Sequence, residues 1–239
     1  MPRTKRLFDL ALTLLAAPLW LPLLAAGTLA VLVSSGWPPF YVSTRRIYRQ
    51  QAIRLMKFRA MVKNADRIAN RETIPVTNQR FLNIPRDSSL YTPVGRWLER
   101  FFLTELPQIL HVLAGQMTIV GNRPLPESVI DELRTRHPDV EDRFAVRSGL
   151  MGPVQLVGRE VLADDARLKL EITYCRLCAE SYSIQLDLAL LMHTALVLIR
   201  ALPQRSADEV EALMRRYARG GLRVIVKEVR EAKVWNRAG

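Results

Sequence analysis

Cysteine and histidine are scarce. Two cysteines in 239 residues cannot build a disulfide framework, and three scattered histidines form no metal cluster. A secreted disulfide scaffold and a structural zinc protein are both excluded. Acidic residues are also few, 23 Asp plus Glu against 35 Lys plus Arg, for a net charge of +12. That balance calls for an anionic partner, which could be nucleic acid, anionic lipid or a phosphorylated substrate. Aromatic residues make up 7%, and no base-stacking or groove-reading pattern accompanies the charge, so nucleic acid is set aside as a partner. No internal repeat is present. What is abundant is apolar: 49% of the chain is hydrophobic, enough for one large domain or one domain with appendages.

The longest apolar run covers residues 7–33, where only Asp9, Thr13 and Thr28 have polar side chains. A helix of that length exceeds the hydrocarbon core of about 30 Å, and it is well beyond the ~7–15 residues of a signal-peptide apolar region. Pro18 and Pro22 interrupt it, each removing a backbone donor. Both flanks are basic: Arg3, Lys5 and Arg6 before, then Arg45, Arg46, Arg49 and Arg54 after. A single crossing cannot keep both flanks on the cytoplasmic side. The pattern therefore favours a re-entrant helix that bends at Pro18 and leaves by the face it entered, over a spanning one. Asp9 is then expected near the headgroups and Trp37, with Phe40 and Tyr41, in an interfacial aromatic belt. The bulk of the chain is placed on the cytoplasmic face of the inner membrane, with anionic lipid taking up much of the excess positive charge.

Beyond this run, residues 54–61 read as a short strand or the approach to a helix, and residues 65–93, with Pro75, Pro85 and Pro93, as loop. Residues 95–102 have helical spacing. A second helix is expected from Thr104, a good N-cap, to Gly115; others cover residues 126–136 and 164–199. Ser206 and Glu209 form a capping box, Gly220-Gly221 closes that helix, and residues 222–229 alternate as a strand. The expected fold is α+β and mostly helical: a membrane helix over residues 1–36, a cytoplasmic domain over 37–203, and a helix–strand extension over 204–239. Cys175 and Cys178, a lone Cys-x-x-Cys, lack the second pair, the neighbouring histidine or the thioredoxin-like surroundings that zinc or redox chemistry needs, and read as small buried residues. His111, His137 and His193 read as structural.

Lys5-Arg6-Leu7-Phe8-Asp9, Lys57-Phe58-Arg59, residues 92–98 (TPVGRWL), residues 104–126 (TELPQILHVLAGQMTIVGNRPLP) and Gly158-Arg159 occur in an order and spacing that carry a resemblance. The chain resembles the bacterial sugar transferases, small monotopic phosphoglycosyl transferases acting on polyprenyl phosphate, over residues 5–200. The resemblance implies transfer of a sugar 1-phosphate from a nucleotide sugar to polyprenyl phosphate with Mg2+, beside other glycan-assembly proteins. It also implies an Asp-Glu pair at a helix start, the Asp forming a phosphosugar-enzyme intermediate.

This chain departs from the pattern where it matters most. Thr104 stands at the nucleophilic Asp, Gln116 at a second acid, and Asn122 at the Pro of a Gly-Pro-Arg-Pro phosphate loop. In residues 148–155 the glycines and Gln155 survive, while the family's Thr and Trp do not. Thr104 is either an N-cap or a hydroxyl nucleophile with Glu105 as base; Glu105 is a metal ligand, a lone nucleophile or a favourable charge at a helix start. Arg123 matches a phosphate-binding position. Arg59, Arg147, Arg159 and Gln155 are further phosphate or substrate contacts, the arginines being alternatively solvated or lipid-facing. Two readings stay open: a transferase with an altered site, and a catalytically silent relative acting as scaffold or regulator.

Overall fold

The computed structural model describes residues 1–68, 88–157, 162–199 and 201–218, with the backbone alone for Asp66 and Asp164. The expected strand at 222–229, the Gly220-Gly221 helix end and Arg159 lie outside the described residues.

The apolar run forms two helices, α1 (Arg3–Leu15) and α2 (Ala17–Ser35). They meet at Ala16, and Pro18 occupies the first turn of α2, where its missing N–H is no loss. The break therefore precedes the proline expected to cause it. Pro22 lies inside α2, a 19-residue helix apolar and long enough to cross a membrane by length and composition. Trp20 Nε1 donates to Thr13 O at 2.9 Å across the bend.

Both helices are tied to one folded body. Lys5 is buried with its Nζ 2.6 Å from Asp187, and Arg6 donates to Val112 O and Leu113 O at 2.5 and 2.6 Å. These two residues, read as part of the basic flank before the apolar run, are internal tethers. Asp9, expected near the headgroups, is instead fully buried within the protein, accepting the Ile119 N–H at 3.0 Å beside Lys5. At the far end, buried Arg59 donates to Ser35 O and Gly36 O at 2.6 and 2.8 Å, holding the last turn of α2. Trp37 is 73% exposed, whereas Phe40 stacks on Phe58 with ring centroids 5.7 Å apart.

Next come β1 (Phe40–Tyr48) and β2 (Gln51–Phe58), an antiparallel hairpin, and the short α3 (Ala65–Ile68). The hairpin turns through Arg49 at φ 46°, with none of the Gly or Asn that mark such turns in sequence. After α4 (Pro93–Arg100), a 3-10 turn (Leu106–Gln108) leads into α5 (Ile109–Leu113). The parallel pair β3 (Thr118–Val120) and β4 (Gly149–Met151) brackets α6 (Glu127–Arg134) and a 3-10 turn (Val140–Phe144). A last 3-10 turn (Pro153–Leu156) precedes α7 (Asp164–Glu180), α8 (Ile184–Leu198) and α9 (Ala207–Ala218). The helix expected over 164–199 is thus two, parted at residues 181–183. The fold is α+β and mostly helical.

One apolar core joins Val120 of β3, Tyr174 of α7, Leu186 and Leu190 of α8, and Val210, Leu213 and Tyr217 of α9. The Ser206–Glu209 capping box starts α9 with both of its bonds, at 2.7 and 3.2 Å. A smaller cluster, Val31, Phe58 and Leu98, seats α2 on β2 and α4. Gly27 is required there, since a Cβ would lie 2.7 Å from the Phe58 ring.

Candidate active site

The site forms where the end of β2 meets the 3-10 turn. The Phe58 N–H donates to Thr104 O at 2.9 Å, which brings the neighbouring Lys57 beside residues 104 and 105. Gly95 lets α4 close on the same strand end, since a Cβ there would sit 1.8 Å from Ala60 O.

Thr104 is buried, but it is not the N-cap its sequence position suggested. The N–H groups a Thr104 cap would accept belong to Leu106 and Pro107; Leu106 N already donates to Leu103 O at 3.0 Å, and proline has none. The hydroxyl instead donates to Glu99 Oε2 at 3.0 Å. The segment expected to be a long helix opens as a three-residue 3-10 turn, so it offers no helix N-terminus for phosphate.

Glu105, its side chain 23% exposed, is ion-paired with Arg123. Arg45 of β1 and Lys57 of β2 complete a group of three cations. Burial lowers the pKa of Lys57 and proximity to Arg123 lowers it further, with Glu105 and Glu99 opposing. Arg45 is depressed for the same reasons, burial first and Arg123 second. Lys57 Nζ also lies 5.3 Å from the Tyr41 ring centroid. Two partly desolvated cations, Arg45 and Lys57, crowded by the exposed Arg123 and faced by two carboxylates, make a place where a diphosphate relieves repulsion.

Arg123 is held from behind. Fully buried Arg143 pairs with Glu171 at 2.8 Å and donates to Arg123 O at 3.0 Å. Asn122 Nδ2 donates to Glu171 O at 2.9 Å, anchoring the same loop to α7. Gly121 and Gly149 touch backbone to backbone: a Cβ on Gly149 would lie 2.3 Å from Gly121 N. This close approach leaves no room for a side chain at either position.

Of the other sequence candidates, Gln155 shares a shallow recess with Arg123, Asn122 and Gly152, and its Oε1 accepts the Gly152 N–H at 2.9 Å. Arg147 is directed to Gln116 O at 3.4 Å and lies over the Tyr48 ring, and Arg59 is committed to α2. Gln116 bonds His111 Nδ1 at 2.6 Å, tying α5 to the turn after it, while His111 Nε2 accepts the Met56 N–H at 3.2 Å, tying α5 to β2. Cys175 and Cys178 are buried, and desolvation pushes both thiols up, Cys178 to about 12, leaving them inert. Sequence reasoning missed Glu99 and left Arg45 among the flanking charges; Lys57 was visible in its motif but was given no role.

Among the described residues no three His, Cys, Asp or Glu side chains gather around a metal position. Mg2+ is commonly held by one or two carboxylates plus substrate phosphates. Glu105, a partly exposed carboxylate within the cation group, fits that mode.

Residues 2–201 match the bacterial sugar transferase family. The exopolysaccharide production protein ExoY of Sinorhizobium fredii is 30% identical over 195 residues, covering 80% of this chain and 83% of that protein. The undecaprenyl-phosphate galactose phosphotransferase of Salmonella typhimurium is 29% identical over 205 residues, 82% of this chain and 40% of that protein. A UDP-N-acetylgalactosamine-undecaprenyl-phosphate N-acetylgalactosaminephosphotransferase of Aeromonas hydrophila is 28% identical over 192 residues, 80% and 42% respectively. The chain thus spans less than half the length of the larger relatives and most of ExoY. It belongs to the bacterial sugar transferase family.

Proposed function

We propose that this protein transfers a sugar 1-phosphate from a nucleotide diphosphate sugar to polyprenyl phosphate, in the assembly of an exopolysaccharide or glycoconjugate. The observation that carries this reading is the group of Arg45, Lys57 and Arg123 around Glu105, placed on the body that also holds α2. Arg123 and Lys57 bind the diphosphate, Arg143 fixes the Arg123 loop, and Gln155 lines the adjoining recess. Glu105 is the residue to hold Mg2+, which when bound neutralises phosphate charge. Substrate names printed for the relatives, undecaprenyl phosphate and UDP-sugars, agree with this class.

The membrane arrangement belongs to the same proposal. Lys5 at the start of α1 and Ser35 at the end of α2 are both bonded to one folded body, which supports an α1–α2 pair that enters and leaves by one face, with the body on the cytoplasmic side. Exposed Leu19, Leu21, Leu29 and Val33 face lipid, with Trp37 at the interface. Exposed Arg3, Arg49 and Arg54 are available to anionic headgroups.

A silent relative serving as scaffold or regulator of glycan-assembly proteins is the second reading. Gln116 and Asn122, at two positions that depart from the family pattern, are both tied into scaffold bonds. The assay is release of nucleoside monophosphate from a panel of UDP-sugars by purified protein with polyprenyl phosphate and Mg2+. Release that requires the lipid supports transfer; none with any donor, alongside retained donor binding, supports the silent relative.

A further inference from the structure

We infer that Glu99 is the nucleophile of this site, aimed by the hydroxyl of Thr104. The inference rests on the transferase reading above.

Two carboxylates face the cation group. Glu105 is ion-paired with Arg123 and is the carboxylate assigned above to Mg2+, so its oxygens are already committed to cations. Glu99 accepts a bond from a neutral hydroxyl, Thr104 Oγ1 at 3.0 Å, and its charge reaches Lys57. It is the less encumbered of the two. Its side chain, on α4, is partly exposed, whereas Thr104 is 6% exposed, so an incoming phosphate meets the glutamate before the threonine. The threonine hydroxyl has its proton committed to Glu99 and no backbone N–H to accept, which suits a fixed donor. Trp97 of α4 and Phe101 just past its end form an exposed pair, centroids 5.0 Å apart, and α4 lies next to α2. The glutamate therefore lies on the element where apolar surface and cation group adjoin, and where a lipid phosphate arrives.

The chemistry balances without a proton or an electron from outside. A Glu99 carboxylate oxygen attacks the phosphorus that bears the sugar; the bond from that phosphorus to the bridging oxygen breaks, and its electron pair leaves with the nucleoside monophosphate. The product is a phosphosugar acyl phosphate on Glu99. An oxygen of polyprenyl phosphate then attacks the same phosphorus, the bond to Glu99 breaks, and the carboxylate is regenerated beside a polyprenyl diphosphate sugar. Thr104 keeps its proton throughout and is a positioning residue.

The test uses the full-length protein in detergent with polyprenyl phosphate, Mg2+ and a UDP-sugar panel. Wild type incubated with donor alone should gain the mass of a phosphosugar on the peptide containing Glu99, removed by hydroxylamine as an acyl phosphate is. Glu99→Gln, nearly isosteric, should lose the adduct and lower turnover ~1000-fold or more. Thr104→Ser should keep kcat, and Thr104→Val should lower kcat ~10-fold with KM little changed. A wild type that turns over while Glu99→Gln keeps its activity, or an adduct that resists hydroxylamine or maps to Thr104 or Glu105, overturns the inference and leaves the transferase reading standing. A wild type with no turnover and no adduct overturns both.

Discussion

Lys57 carries its charge against the preference of its surroundings. Burial and the Arg123 guanidinium depress its pKa below the ordinary lysine value of 10.5. In the free protein the folded state therefore binds the proton less readily than the unfolded chain. Stability rises with pH between the depressed value and 10.5, and below it the charged side chain is a constant penalty. A bound diphosphate reverses the balance by supplying opposite charge. Lys57→Met is expected to raise the thermal midpoint at neutral pH, to weaken UDP-sugar binding ~10-fold, and to flatten the loss of affinity that wild type shows as pH rises toward 10. Calorimetric titration across that range checks it; an unchanged pH profile removes Lys57 from the site. At this scale the sequence motifs led to Thr104, Glu105 and Arg123. Glu99 stayed hidden because its five-residue offset from Thr104 crosses a helix end and a turn, where no periodicity predicts which side chains meet.

The same limit shows among the elements. Pro18 drew attention as the bend, yet the break at Ala16 is held from outside the run, by the Lys5 and Arg6 tethers before it and Arg59 after it. Pro18→Leu is therefore expected to leave topology unchanged. Cysteines at positions 2 and 34 should both resist labelling from the periplasmic face in wild type and variant alike; labelling at position 2 alone would make α2 a spanning helix. Asp187 is the more sensitive point. It gathers Lys5 Nζ, Tyr174 Oη and Tyr182 Oη at 2.6, 3.0 and 3.0 Å, and is fully buried. Asp187→Ala strands the Lys5 charge and is expected to cost about 3–5 kcal/mol, much of it recovered by adding Lys5→Met. Thermal melting in detergent measures both variants, and equal midpoints for wild type and Asp187→Ala would contradict the tether. The capping box of α9 was readable from local sequence because both bonds lie within four residues. The β1–β2 hairpin was not, since its turn bends at Arg49 without a marker residue.

For the whole molecule, the net charge of +12 raised the expectation of an anionic partner but gave no account of where the charge sits. Lys5, Arg46 and Arg143 are buried in internal ion pairs, and Arg45, Lys57 and Arg123 surround the candidate site. What composition could not separate, tertiary contacts do: some cations join elements in internal ion pairs, some gather around Glu105, and some stay exposed on the surface. The central claim is that one membrane face supplies both the soluble donor and the lipid acceptor. The most direct test uses inverted and right-side-out membrane vesicles from a host lacking its own transferases of this kind, with labelled, impermeant nucleotide sugar added outside. Label is expected to enter the lipid fraction in inverted vesicles alone; label entering right-side-out vesicles, or neither preparation, would contradict the account.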